Sequence, residues 1–126
     1  MSMARRGFTL IELLVVIAII AVLATTAGIY LYGALDDADI AKAKTEIKAL
    51  KGAITAYMLK NNRKLPDSLE EVAPFMDNGK IPEDPWGNPY QYSKVGSRDF
   101  TIVSFGADGR SGGTEAIDQD ISSKDI

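Results

Sequence analysis

Carboxylates are the side chains whose type and spacing could do chemistry here, and they occur in two very different settings. The first is the stretch after Ala107, where Asp108, Glu115, Asp118, Asp120 and Asp125 stand against Arg110 and Lys124 alone. Glycines at 106, 109, 112 and 113 let such a loop curl so that main-chain carbonyls point inward beside the carboxylates. Calcium takes oxygen donors of both kinds, about six to eight of them at about 2.3–2.6 Å. The run is not an EF-hand, because no D-x-D-x-D-G with a Glu at the twelfth position occurs. A hard-cation site and a solvated acidic loop both stay open on these residues. The second setting is Glu12, a single carboxylate one helical turn inside an otherwise apolar run. At mid-bilayer such a group costs about 2.5–3.5 kcal/mol, and less near an interface. Glu12 therefore either snorkels to the interface or is held by a cationic partner.

The remaining candidates are quickly weighed. Glu70 and Glu71 are adjacent in a helical stretch, so they point apart and do not form an acid/base pair. Asp84 sits in a proline-rich turn, where capping the turn is its ordinary role. The chain has no histidine and no cysteine, which excludes Cys/His zinc sites, thiol nucleophiles, Ser-His triads and disulfide scaffolds. No catalytic constellation is left, and the chain reads as a non-enzyme. With 14 Lys+Arg against 17 Asp+Glu and no basic stripe, it carries no nucleic-acid footprint.

The elements that position these residues begin with residues 13–35, which carry no charge. As a helix rising about 1.5 Å per residue they reach about 34 Å, enough to cross a hydrocarbon core. Arg5 and Arg6 precede them, and Asp36, Asp37 and Asp39 follow. That charge order predicts a cytoplasmic N-terminus and an exported remainder. Residues 36–126 are too few to wrap a fully apolar helix of this length as a soluble core. The segment is a membrane anchor or a cleaved signal; Thr25-Thr26-Ala27 would be a poor cleavage site, and Ile29, Tyr30, Leu31 and Tyr32 continue the apolar run beyond it.

Past this segment, Ile40, Ile47 and Ile54 recur every seven residues with Ala43, Leu50 and Tyr57 between them, while Lys42, Lys44, Lys48 and Lys51 lie off the stripe. The spacing predicts an amphipathic helix over 36–60, stopped by Asn61-Asn62 and Leu65-Pro66. Gly28 and Gly33 mark its junction with the apolar half, as sites of close packing or of bending. A short second helix is predicted over 66–72, capped by Asp67 or Ser68. Residues 90–94 and 100–105 alternate as two antiparallel strands joined through 95–98. A small sheet laid on the helix stripe buries both apolar faces, with Trp86 as a plug or loop anchor.

Two motifs carry a family resemblance. Arg5-Arg6-Gly7-Phe8-Thr9-Leu10-Ile11-Glu12-Leu13-Leu14 resembles the type IV prepilin signal, with Glu12 the fifth residue after Gly7. Asp84-Pro85-Trp86-Gly87-Asn88-Pro89-Tyr90, Ser104-Phe105-Gly106-Ala107-Asp108-Gly109 and Asp118-Gln119-Asp120-Ile121 resemble the major pseudopilin of type II secretion systems, and with the signal the likeness covers nearly the whole chain. Type IV major pilins usually close their C-terminal region with a disulfide, which this chain cannot form.

The resemblance implies an α+β, type IV pilin-like fold: a long N-terminal helix, half membrane-spanning and half amphipathic, on a small antiparallel sheet with a C-terminal acidic loop. It implies a leader of residues 1–7 removed by prepilin peptidase between Gly7 and Phe8, with methylation of the new Phe8 amine. Residues 8–35 would be the transmembrane and filament-core helix, and 36–126 a periplasmic head. Glu12 would pair with the Phe8 amine of a staggered neighbour and set register. One structural calcium would be held by Asp108, Asp118 and Asp120 with the Phe105 carbonyl; Glu115 is not included. The family often carries a Trp a few residues after its D-I pair, where this chain continues as Ser122-Ser123-Lys124-Asp125-Ile126. Function would be that of a structural subunit of the periplasmic pseudopilus, polymerising to drive export of folded proteins. Its partners would be further copies of itself, prepilin peptidase, minor pseudopilins, the inner-membrane platform with its ATPase, and the secretin. The rival classes are a surface type IV pilin and a membrane-anchored or secreted calcium-binding module.

Overall fold

The computed structural model describes residues 7–126, so Arg5, Arg6 and the rest of the expected leader before Gly7 lie outside the described residues. One helix, α1, runs Leu10–Lys60. The chain divides into two compact units, the first ending at Leu35 and the second spanning Asp36–Ile126. α1 passes through Gly28 and Gly33 without interruption, and a Cβ at either would meet nothing within 4 Å.

In the first unit α1 is apolar all round and exposed, with Leu14, Ile17, Ile20 and Leu23 each more than half accessible. It is long and apolar enough by composition to cross a membrane, and none of its most apolar stretch is buried. Among the described residues of this unit nothing covers the helix. Its apolar surface is left for lipid or for other chains to cover.

The second unit is built on the seven-residue stripe. Ala43, Ile47, Leu50 and Ile54 are fully or almost fully buried, and Ile40 and Tyr57 flank them half-buried. Each large aliphatic side chain removed from water in this way contributes about 1.5–3 kcal/mol. Against the stripe lies an antiparallel sheet of three strands, β1 (Gln91–Val95), β2 (Asp99–Ser104) and β3 (Ile121–Ser122), in the order β1-β2-β3. Register runs from Gln91 opposite Val103 to Val95 opposite Asp99, and Ser104 sits opposite Ile121. Ile102 and Ile121 point into the core beside Val72, Leu69 and Tyr90, and Trp86 packs half-buried on its edge.

Three elements differ from expectation. The short helix is a 3-10 helix over Leu69–Phe75, beginning later and running through Pro74. Ser68 gives it no side-chain cap; instead the Glu71 carboxylate reaches back to accept the Asp67 N–H at 2.7 Å. Asp67 is occupied elsewhere, in an ion pair with Lys94 that holds its carboxyl below the usual carboxylate range. The first strand starts one residue late, because Tyr90 turns inward to bond the helix and does not join the ladder, and the second starts one residue early, with Asp99 opposite Val95. β3 is a third strand without a counterpart in the alternation pattern. It closes the chain end on the core: the Ser123 hydroxyl accepts the Ile102 N–H at 3.0 Å, and Ile126 packs half-buried nearby.

Tyr90 ties the sheet to the helix, its hydroxyl donating to the Glu46 carboxylate at 2.9 Å. Burial, and then the bond to Glu46, push this phenol well above its ordinary value of 10.0. A raised folded value means the stabilisation is complete below the unfolded pKa and is lost as pH climbs above it. In alkaline denaturation followed by Trp86 fluorescence, stability above pH 10 is expected to fall by up to about 1.4 kcal/mol per pH unit on account of Tyr90. Tyr90→Phe should flatten that part of the slope; an unchanged slope would contradict the assignment.

Candidate functional site

Two regions hold the residues singled out by the sequence. At the N-terminal end, Gly7, Phe8 and Thr9 precede the first turn of α1. Thr9 caps it: its hydroxyl accepts the Glu12 N–H at 3.2 Å and its carbonyl accepts the Leu13 N–H at 3.3 Å. Threonine followed three residues later by glutamate is the capping-box spacing, a signal that the family likeness overshadowed in the sequence. Glu12 therefore lies in the first turn, where the helix dipole favours a carboxylate. Phe8 is 81% exposed, and Phe8, Ile11, Glu12 and Val15 line one shallow surface depression that is almost wholly apolar apart from the Glu12 carboxylate. Phe8 and Glu12 are thus presented together at the start of an uncovered apolar helix.

The second region is the acidic loop and the turn that supports it. Asp84 is buried and accepts three hydrogen bonds: the Asn88 N–H at 2.7 Å, the Trp86 N–H at 3.2 Å and the Ser104 hydroxyl at 2.8 Å. Its turn-capping role is as the sequence implies, and the Ser104 bond adds a link to the end of β2. From Ser104 the chain enters the loop through Gly106, which is buried with φ +81°. A Cβ there would stand 2.5 Å from the Ile117 carbonyl oxygen, so only glycine fits. The Ala107 N–H donates to that same carbonyl at 2.7 Å, which folds the loop back on itself. At Gly113 a Cβ would meet the Asp118 carbonyl oxygen at 2.2 Å. Asn88 spans the two pieces, its side-chain amide donating to the Gly106 carbonyl at 3.4 Å.

The loop's carboxylates are used locally. Asp108 accepts the Arg110 N–H at 3.1 Å, and Asp120 accepts the Gly112 N–H at 2.9 Å and the Ser111 hydroxyl at 3.5 Å. Among the described residues no three Asp or Glu side chains converge on a point. The backbone nonetheless brings Asp108 and the stretch carrying Asp118 and Asp120 into one closed loop, with the carbonyls of residues 117–119 packed against Gly106 and Gly113. Carboxylates and carbonyls are the donor chemistry of a hard cation such as calcium, and the residues fit that ion in kind. Phe105 is half-buried at the mouth of the loop, directly before Gly106.

Comparison with known proteins bears on both regions. A family model for the type II secretion system (T2SS), protein G, matches residues 30–124, and one for the prokaryotic N-terminal methylation motif matches residues 2–28. The chain is similar to the type II secretion system core protein G of Pseudomonas aeruginosa, 36% identical with 88% of this chain and 89% of that protein covered. The protein of the same name from Aeromonas hydrophila is 37% identical over 90% of each chain. That of Escherichia coli K12 is 36% identical, covering 90% of this chain and 89% of its own length.

The Asp84 hub makes a direct prediction about the head. Asp84→Ala orphans two main-chain N–H groups and a hydroxyl in the interior, and should cost about 2–4 kcal/mol in urea denaturation followed by Trp86 fluorescence. Ser104→Ala removes the bond donated to Asp84 and the longer one accepted from the Gly106 N–H, and should cost about 1–2 kcal/mol. Equal, small losses for both would mean that the turn does not depend on Asp84.

Proposed function

This chain belongs to the type II secretion system protein G family, and we propose that it is a structural subunit of the periplasmic pseudopilus, polymerising through its N-terminal helix to drive export of folded proteins. One observation carries the reading: a single chain joins a methylation motif and an uncovered apolar helix to a protein G head with its own closed core. A head that is already closed on the second half of α1 does not need the apolar first half for its core. That first half is a device for insertion and assembly. The match to the protein G family over residues 30–124 favours the pseudopilus over a surface pilus, and a structural role over an enzymatic one.

The maturation steps follow from the chemistry at the N-terminal end. Prepilin peptidase would remove residues 1–7, breaking the Gly7–Phe8 bond and leaving an amine on Phe8 that is then methylated. In the bilayer that ammonium and the Glu12 carboxylate are each costly alone. They neutralise one another when two subunits stand axially staggered, so the pair acts as a register device more than as a source of stability. Residues 8–35 would hold the precursor in the inner membrane, with the N-terminus cytoplasmic and residues 36–126 in the periplasm. Residues 8–35 would then form the filament core. The inner-membrane platform and minor pseudopilins would act on the chain in that state. Within the head, Asp108, Asp118 and Asp120 with the Phe105 carbonyl would hold one calcium ion, which supplies positive charge to a loop of clustered carboxylates. Binding would exchange the Asp108 bond to Arg110 and the Asp120 bond to Gly112 for the ion.

Two experiments test this. The N-terminal peptide recovered from native membranes should begin at N-methylated Phe8, and Glu12→Ala should abolish filaments while leaving insertion and cleavage intact. A chain beginning at Gly28, or filaments formed normally by Glu12→Ala, would overturn the reading. For the loop, calcium added to chelator-treated protein should stabilise the head by about 2.7 kcal/mol at a hundredfold excess over Kd. Asp118→Asn and Asp120→Asn should each remove most of that gain in thermal unfolding. A head indifferent to calcium would remove the ion from the account.

A further inference from the structure

The modest net charge of the chain hides a segregation of charge within the head. Asp36, Asp37 and Asp39 fall within four consecutive residues of α1 with no cation among them. None of the three makes an ion pair among the described residues. They lie mid-helix, where no terminus offers a dipole to stabilise them, and the nearest helix cation, Lys42, is turned to Glu46 at 3.8 Å. At the other end of the same helix stretch lie Lys60, Arg63 and Lys64, while Lys94 and Arg98 flank the turn between β1 and β2. Lys60, Lys64 and Lys94 line one open cavity together with Asn61 and Asn62, and Asp67 is the single carboxylate in its lining. Lys94 is paired with Asp67, and Lys60 lies over the Phe75 ring at 5.4 Å, while Arg63, Lys64 and Arg98 are exposed without an acidic partner among the described residues.

This basic end is held in shape. Asn62 and Arg63 both adopt left-handed φ, 56° and 62°, and the Arg63 N–H closes the helix end on the Met58 carbonyl at 2.7 Å. Cations in a last helical turn are ordinary complements of the dipole, which accounts for Lys60. It does not account for Lys94 and Arg98, which come from the hairpin. The two clusters are complementary in sign and cannot meet in one chain, because the helix rise from Asp36 to Lys60 separates them by about 36 Å. They can meet between two copies displaced along the helix by about the length of the head.

We propose that the basic end of one head, formed by Lys60, Arg63, Lys64 and Arg98, docks on the acidic segment Asp36, Asp37 and Asp39 of a second copy of this chain. The contact is head-to-tail and heterologous, so it does not close on itself and propagates as an open helical array. Its charges set partner orientation and axial spacing. It rests on the self-assembly reading above, and adds a second register device outside the bilayer.

The absence of cysteine gives a clean test in the full-length chain in its own membranes. Asp37→Cys combined with Lys64→Cys should give, on mild oxidation, a covalent ladder of dimers and higher species, whereas each single variant gives no species beyond a dimer. In the otherwise native chain, Lys60→Glu with Lys64→Glu should lower filament yield at least tenfold. Adding Asp36→Lys and Asp37→Lys to that variant should restore it, with correct insertion checked by protease access to the head. No ladder, or filaments that survive the one-sided reversal, would overturn the contact and leave self-assembly standing. Absence of filaments from the unsubstituted chain would instead overturn the assembly reading itself.

Discussion

Everything in this chain follows from one helix having to satisfy two solvents. Over its first half α1 is apolar on every side, so it is stable only where water is absent. Over its second half the apolar residues narrow to a stripe, and Ala43, Ile47, Leu50 and Ile54 turn inward on a sheet that cannot stand without them. A sheet with a two-residue third strand has little cohesion of its own. The helix supplies the surface on which it condenses, and the polar bonds Tyr90–Glu46 and Lys51–Ser123 fasten sheet and chain end to that surface.

Within the head, Asp84 does for the loops what the stripe does for the sheet. A buried carboxylate is tolerated only when its lone pairs are taken, and this one accepts from Trp86, Asn88 and Ser104 at once. Through Ser104 and Asn88 it fixes the point where β2 passes into the acidic loop. Two steric necessities, Gly106 against the Ile117 carbonyl and Gly113 against the Asp118 carbonyl, then decide how tightly that loop can close. Clustered acids so close to a packed core are held by backbone geometry, with Asp108 and Asp120 bonded to local N–H groups.

How much of this could be read from the residues depends on the range of the forces involved. The stripe at 40, 43, 47, 50 and 54 was legible because periodic burial leaves a periodic sequence, and the hairpin because Gly96 and the turn around it interrupt two alternating runs. β3 was not legible, since two residues carry no period and Ile121 pairs only because the loop returns it to β2. The short helix was placed early; Ser68 does stand at its N-cap, but it makes no side-chain cap bond, and Lys94, remote in sequence, claims Asp67. In the acidic loop the residue types and the glycines left a hard-cation site and a solvated loop both open, and calcium was implied by the family resemblance alone. The actual bonds of Asp108 and Asp120 depend on where the backbone places N–H groups, which composition does not encode.

The way the chain end completes the core has a consequence for how the head comes into being. The ammonium of Lys51 bonds the carbonyl of Ser123 across 72 residues, and Tyr90 reaches Glu46 across 44. Synthesis runs in the opposite sense to these closures: the sticky face of the helix emerges first, and its last cover, Ile121 with Ser123, emerges at the end. Long-range closure of this kind is slow compared with helix formation, so a nascent chain passes through an interval with its hydrophobic face bare. The apolar stripe of the helix therefore stays without its full cover until residues 55–123 have been made.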